Sequence, residues 1–149
     1  MKKFAPILAA IVLACSLATV ATVTTGCNIF GPVEEGHSAV VVNAERTAKL
    51  SFYTVDGFLE WEHANRPFLS SDITKAADEV REKFPPAYKA LRDSTKLYKF
   101  TRDPDDESKL TSSLKIVQGL LNIASGLLPP PERALAETKA AKATTIPTL

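Results

Sequence analysis

From Val41 onward the apolar residues return at intervals of three, four or seven: Val41, Ala44, Ala48, Val55, Phe58 and Leu59. Side chains so spaced share one face of a 3.6-residue helix, whereas a half-buried strand alternates at two. The spacing predicts a first helix over 33–65. Pro32, Glu34 and Glu35 suit its first turn, where proline is tolerated and carboxylates meet the positive end of the helix dipole. Pro67 closes it, because the residue before a proline is pushed out of the α region. The rhythm resumes with Ile73, Ala77, Val80, Phe84, Tyr88, Leu91 and Tyr98, predicting a second helix over 72–99 with Ser71 as its N-cap. Pro85 and Pro86 interrupt the hydrogen-bond ladder, so a kink is expected there. The phase does not change across them, so both halves should face the same neighbours.

"TRDPDDESK" then reads as a turn, with Asp103 as cap, Pro104 at the first helical position, and Asp105 and Asp106 in the first turn. The third helix, 104–128, carries Leu110, Leu114, Val117, Leu121, Ala124 and Leu128. "PPP" at 129–131 stops it. Residues 129–149 are expected to be this proline stop and a flexible tail, with a frayed helix where alanine alternates with charge from 132 onward. The fold class expected is therefore all-α: an elongated antiparallel three-helix bundle after an N-terminal signal or anchor segment. The third helix also has a second apolar set, Ile116, Leu120, Ile123 and Leu127. Either it touches two neighbours within the bundle, or this stripe is a surface for self-association into a homo-oligomer.

The stretch up to Cys27 is of another kind. Met1-Lys2-Lys3 is basic, Phe4 to Val23 contains no charge, and "TTG" leads to Cys27. A basic start, an apolar run and a zone of small residues describe an export signal. The glycine–cysteine junction resembles the lipobox of bacterial lipoproteins, although Thr24 stands where leucine is usual. The resemblance implies a signal peptide over 1–26, lipid (palmitate among the acyl groups) on Cys27, and a tether over 27–32. It also implies sorting to the outer membrane in a diderm bacterium, since Asn28 rather than an aspartate follows. Two alternatives remain open. Cys15 in "VLAC" is a second lipobox-like site, and Phe4–Val23 is about the 20 residues that cross a bilayer as an uncleaved span. All three place residues 28–149 outside the cytoplasm.

Composition sharpens this. Both cysteines, Cys15 and Cys27, lie in the leader, so no disulfide supports the exported part. Removing 26 of 149 residues leaves 123, enough for one domain with a core. Of 18 basic residues the leader takes Lys2 and Lys3, leaving 16 against 17 acidic, a balance that gives no argument for nucleic acid. Within that balance the charges segregate: Lys89, Arg92, Lys96 and Lys99 make a basic stripe along the second helix, while the first helix is acidic. The stripe is either a solvated face opposite the acidic helix or a contact for anionic head groups or envelope polymer.

Catalytic chemistry is thin. Glu60 and His63 have the E-x-x-H spacing used by di-iron bundles, but such a site needs a second pair and two further glutamates, and the only other histidine, His37, lies near the other end of the same helix. No metal site, cofactor or catalytic residue is assigned, and no nucleophile motif or phosphate loop occurs. "AERTAKLSFYTVDGFLEWEHANR" and "LYKFTRDPDDESKLTSSLKIVQGLL" resemble small membrane-anchored helical proteins of bacteria and their phages, which implies architecture rather than activity. The expectation is a non-enzymatic cell-envelope lipoprotein. Its membrane contact is the lipid, and its helical domain binds an envelope protein or surface. The alternative is a phage-borne membrane effector, a lysis or exclusion factor acting on the host envelope.

Overall fold

The computed structural model describes residues 38–149, and these are helical almost throughout. Cys27, the signal, the tether, and residues 33–37 assigned to the start of the first helix lie outside the described residues. Four α-helices follow in order: α1 Ala39–Asn65, a short 3-10 turn at Arg66–Phe68, α2 Ser71–Thr101, α3 Pro104–Leu127 and α4 Pro130–Lys142. α1 packs against α2, α3 and α4, and α2 also packs against α3. α1 and α2 are antiparallel, since Glu45 pairs with Lys99 near one end and Glu62 with Arg81 near the other.

The core stripe of α1 is regular. Val41, Ala44, Ala48, Ser51, Val55, Phe58 and Glu62 are all buried, at intervals of three and four. That is a heptad rhythm, the pattern by which one helix keeps a single seam against its neighbours. α2 answers with Ala77, Val80, Phe84, Tyr88, Leu91, Thr95 and Tyr98. From the third helix come Leu110, Val117, Leu120 and Ala124, followed by Leu128. Fully enclosed alanines at 44, 77 and 124 let the helix axes approach. Two buried hydroxyls are satisfied within their own helices. Ser51 Oγ donates to the Ala48 carbonyl at 3.1 Å and Thr95 Oγ1 to that of Leu91 at 2.6 Å. Neither therefore carries the cost of an unpaired polar group.

α2 is one continuous helix through Pro85 and Pro86. A proline lacks the N–H that would reach back four residues, so the carbonyls of Arg81 and Glu82 lose their donors. Residues 81, 82, 85 and 86 are all exposed, so water replaces those bonds. The N-cap of α2 is Ser70, one residue before the expected Ser71. Ser70 Oγ accepts from the Ile73 amide, while the Ser71 carbonyl takes the Thr74 hydroxyl.

At the α2–α3 turn Arg102 adopts a left-handed conformation, φ 55°, and its N–H closes on the Tyr98 carbonyl at 3.0 Å. Asp103 Oδ1 then accepts from the Asp105 amide at 2.8 Å and starts α3.

The chain departs from a three-helix bundle at residues 130–142. Expected from sequence to be only a frayed helix within the tail, outside the bundle, they form α4 and pack on α1 through buried Ala136 and Ala140. The physical reason lies in proline itself. It cannot continue α3, yet its fixed φ and missing donor suit the first turn of the next helix, where Pro130 and Pro131 stand. Arg133 Nη2 ties the junction by donating to the Leu128 carbonyl at 3.0 Å. Beyond α4 the chain returns across α2. Ile146 packs against the core, and the Pro147 carbonyl accepts from the Tyr88 hydroxyl at 2.9 Å.

Candidate anionic-surface site on α2

The core positions Tyr88, Leu91, Thr95 and Tyr98 fix where the next residue of each pair must point. One residue further on, a helix turns by about 100°, so Lys89, Arg92, Lys96 and Lys99 emerge together along one border of the core stripe. Lys89, Lys96 and Lys99 are exposed and Arg92 is half-buried. Lys99 pairs with Glu45 of α1. Arg92 lies 6.0 Å over the Tyr88 ring and its Nη2 donates to Thr148 Oγ1 at 3.3 Å. Lys89 and Lys96 make no ion pair among the described residues.

Two clefts flank this stripe. One of about 350 Å³ lies between α1, α2 and the segment after α4; Glu45, Lys49, Arg92, Lys96 and Lys99 are its charged lining residues, four cations to one carboxylate. The other, about 440 Å³, runs along the far side of Arg92 past Pro86, Lys89, Asp93 and Thr148. The arrangement suits spread negative charge. It presents separate cationic groups that can each meet a different anion, but no convergent set of acid, base and nucleophile.

The other residues singled out in the sequence are scattered. Leu120 is core, Ile123 and Leu127 are half-buried against the core, and Ile116 alone is largely open, at 58 % exposure. The second stripe of α3 thus divides between packing and solvent. Gly119 and Gly126 have open space at their Cβ positions. Glu60 and His63 are both exposed, and no described group of three acidic, histidine or cysteine side chains is placed to hold a metal ion. No described helix is long and apolar enough to cross a membrane.

A polar cluster escaped the sequence reading. Glu62, fully enclosed, sits between Arg66 and Arg81. Its Oε2 accepts from Arg81 Nη2 at 2.9 Å. Oε1 stands 3.1 Å from Arg66 Nη1, in ion-pair range though not aligned for a hydrogen bond. At that distance the electrostatic contact counts for more than the misalignment. Both arginines also hold Asp78, and the Arg66 guanidinium keeps that carboxyl below the usual range. Two cations and two anions cancel, and the cluster clasps the α1–α2 turn. The signal was present in sequence, since position 62 continues the heptad 48, 51, 55, 58 and has arginine four residues on.

Comparison with family models, curated proteins and solved structures finds no match to the chain.

Tyr88 joins the core to the basic stripe and makes a pH prediction. Its ring packs at 5.2 Å from Phe84 and 5.9 Å from Phe52, and burial pushes the phenol from 10 up to about 12, against the opposing pull of Arg92. A group whose pKa is raised by folding stabilises fully below its unfolded value. That stabilisation is lost as pH rises toward the folded value. Between about pH 10 and 12 the chain should therefore lose roughly 2–3 kcal/mol that a Tyr88→Phe variant does not lose. Urea melts of both proteins from pH 9 to 11.5 check this, and parallel curves would show the phenol free to ionise in the folded state.

Proposed function

We propose that this chain is a lipid-anchored envelope protein without enzymatic activity, whose helical domain meets an anionic surface along α2. The observation that carries the reading is the lining of the cleft beside α2, where Lys49, Arg92, Lys96 and Lys99 face one acidic partner, Glu45. Cations left in excess at a surface gain little from the fold itself. Each contributes about 1 kcal/mol when brought near a charged bilayer at physiological salt. The charge-free run before Cys27 supports the anchor, because an export signal of that kind would bring the domain to a membrane.

Intact-mass spectrometry of the membrane fraction, after expression of the full chain in a diderm bacterium, tests the anchor. The expected result is loss of residues 1–26 and a lipid adduct on Cys27. An unmodified chain beginning at Met1 overturns the lipid and leaves an uncleaved span. A Cys27→Ala variant gives the same answer from the other side. It should retain residues 1–26 and carry no adduct, whereas the mass of an uncleaved span would change only by the substitution itself.

A further inference from the structure

The largest apolar exposures among the described residues are two phenylalanines. Phe100 is 89 % exposed near the end of α2 and Phe68 is 88 % exposed just before its start. They are matched in chemistry and stand at opposite ends of that helix. Their surroundings differ. Leu97, 43 % exposed, precedes Phe100 by three positions and Lys96 by four, so the three share one face, which continues down the helix through Asp93 to Lys89. Phe68 follows the self-neutralised Glu62–Arg66–Asp78–Arg81 cluster.

The two ends also differ in what the chain does there. α1 begins at Ala39, at the end of that helix where Glu45 pairs with Lys99, so the described chain starts at the Phe100 end of α2. Even fully extended, the stretch from Cys27 to Ser38 would span less than the length of α2, so a lipid on Cys27 favours this end over the other. Of the carboxylates that open α3, Asp106 is offset by Lys109, while Asp103 and Glu107 keep their charge as they accept from the Asp105 amide and the Tyr98 hydroxyl.

We infer that the C-terminal half of α2 lies against the anionic bilayer that anchors the chain, with Phe100 and Leu97 seated in the interface and Lys89 and Lys96 among the head groups. The inference rests on the membrane-anchored reading above. Phenylalanine and leucine on the apolar face of an interfacial helix bury at the boundary between head groups and acyl chains, and lysines beside them keep their charge in water while their stems cover apolar surface. This occupant gives the two exposed apolar residues and the two unpaired lysines a single partner.

The test uses the full chain reconstituted into vesicles of phosphatidylcholine and phosphatidylglycerol containing brominated lipid. Trp61, the only tryptophan, is first changed by Trp61→Phe, and Phe100→Trp and Phe68→Trp are then made separately. Both sites are exposed, so neither probe disturbs the core. Flotation is read first: a chain that does not float with the vesicles overturns the anchored reading and this inference with it. For a chain that floats, several-fold stronger quenching at position 100 than at position 68 is expected. Adding Lys89→Glu and Lys96→Glu should remove that difference without releasing the chain. Equal quenching at the two positions, or stronger quenching at 68, overturns the docking while leaving the anchor intact.

Discussion

Phe84→Ala should cost about 3–5 kcal/mol of folding stability, the range for removing a well-packed aromatic side chain. Phe84 is 4 % exposed, and its ring lies 5.2 Å from that of Tyr88, itself enclosed. The substitution deletes the transfer free energy of the ring and leaves a cavity. Little can collapse into it, because Val80 and Tyr88 on either side are held by the same seam. Alanine's better helix propensity returns only a few tenths of a kcal/mol. Urea melts measure the difference. A loss under about 1 kcal/mol would mean the site relaxes freely, and that the helix phase on the two sides of Pro85–Pro86 is not locked as the burial pattern implies.

That pattern also shows where sequence reading works and where it stops. The stripes of α1 and α2 were legible because bulky apolar residues alternate with charge, and the contrast survives an exposed proline pair. α3 was less sharp: Leu120 is buried while its neighbour Leu121, assigned to the core stripe, is only half-buried. When almost every position is apolar, periodicity cannot choose the face. α4 had the opposite difficulty. Its core contribution is Ala136 and Ala140, methyl groups that barely register in a hydropathy pattern yet fit closely against α1. The strap after α4 could not be read at all, since the Tyr88–Pro147 bond joins residues 59 apart and nothing local encodes it.

The basic stripe illustrates a different limit. Its four residues were found by spacing alone, but spacing could not say which were already paired. Lys99 is bound to Glu45 and Arg92 is held by Tyr88 and Thr148, whereas Lys89 and Lys96 are left to solvent. Lys49, from the other helix, completes the cleft and could be added only once α1 and α2 were known to be antiparallel.

The Glu62 clasp should respond asymmetrically to mutation. Glu62→Met is expected to change stability by less than about 1 kcal/mol, because it removes the one fully buried charge of the cluster and strands no other. The arginines it leaves behind keep Asp78 and reach water, with 43 % of each side chain exposed. The paired change Arg66→Met with Arg81→Met is the costly one, at about 3–5 kcal/mol near neutral pH. It strands a fully enclosed carboxylate with no described cation to replace the two removed. In the parent the cluster also acts through Asp78. Its lowered pKa stabilises above the unfolded value, and that contribution fades as pH falls through the folded one. Urea melts of the parent, Glu62→Met and the double variant between pH 4 and 8 separate these cases. Equal losses for the two variants would show that the clasp is held by the net attraction of the pair. A double variant that loses under about 1 kcal/mol would show that water reaches Glu62 once the arginines are gone.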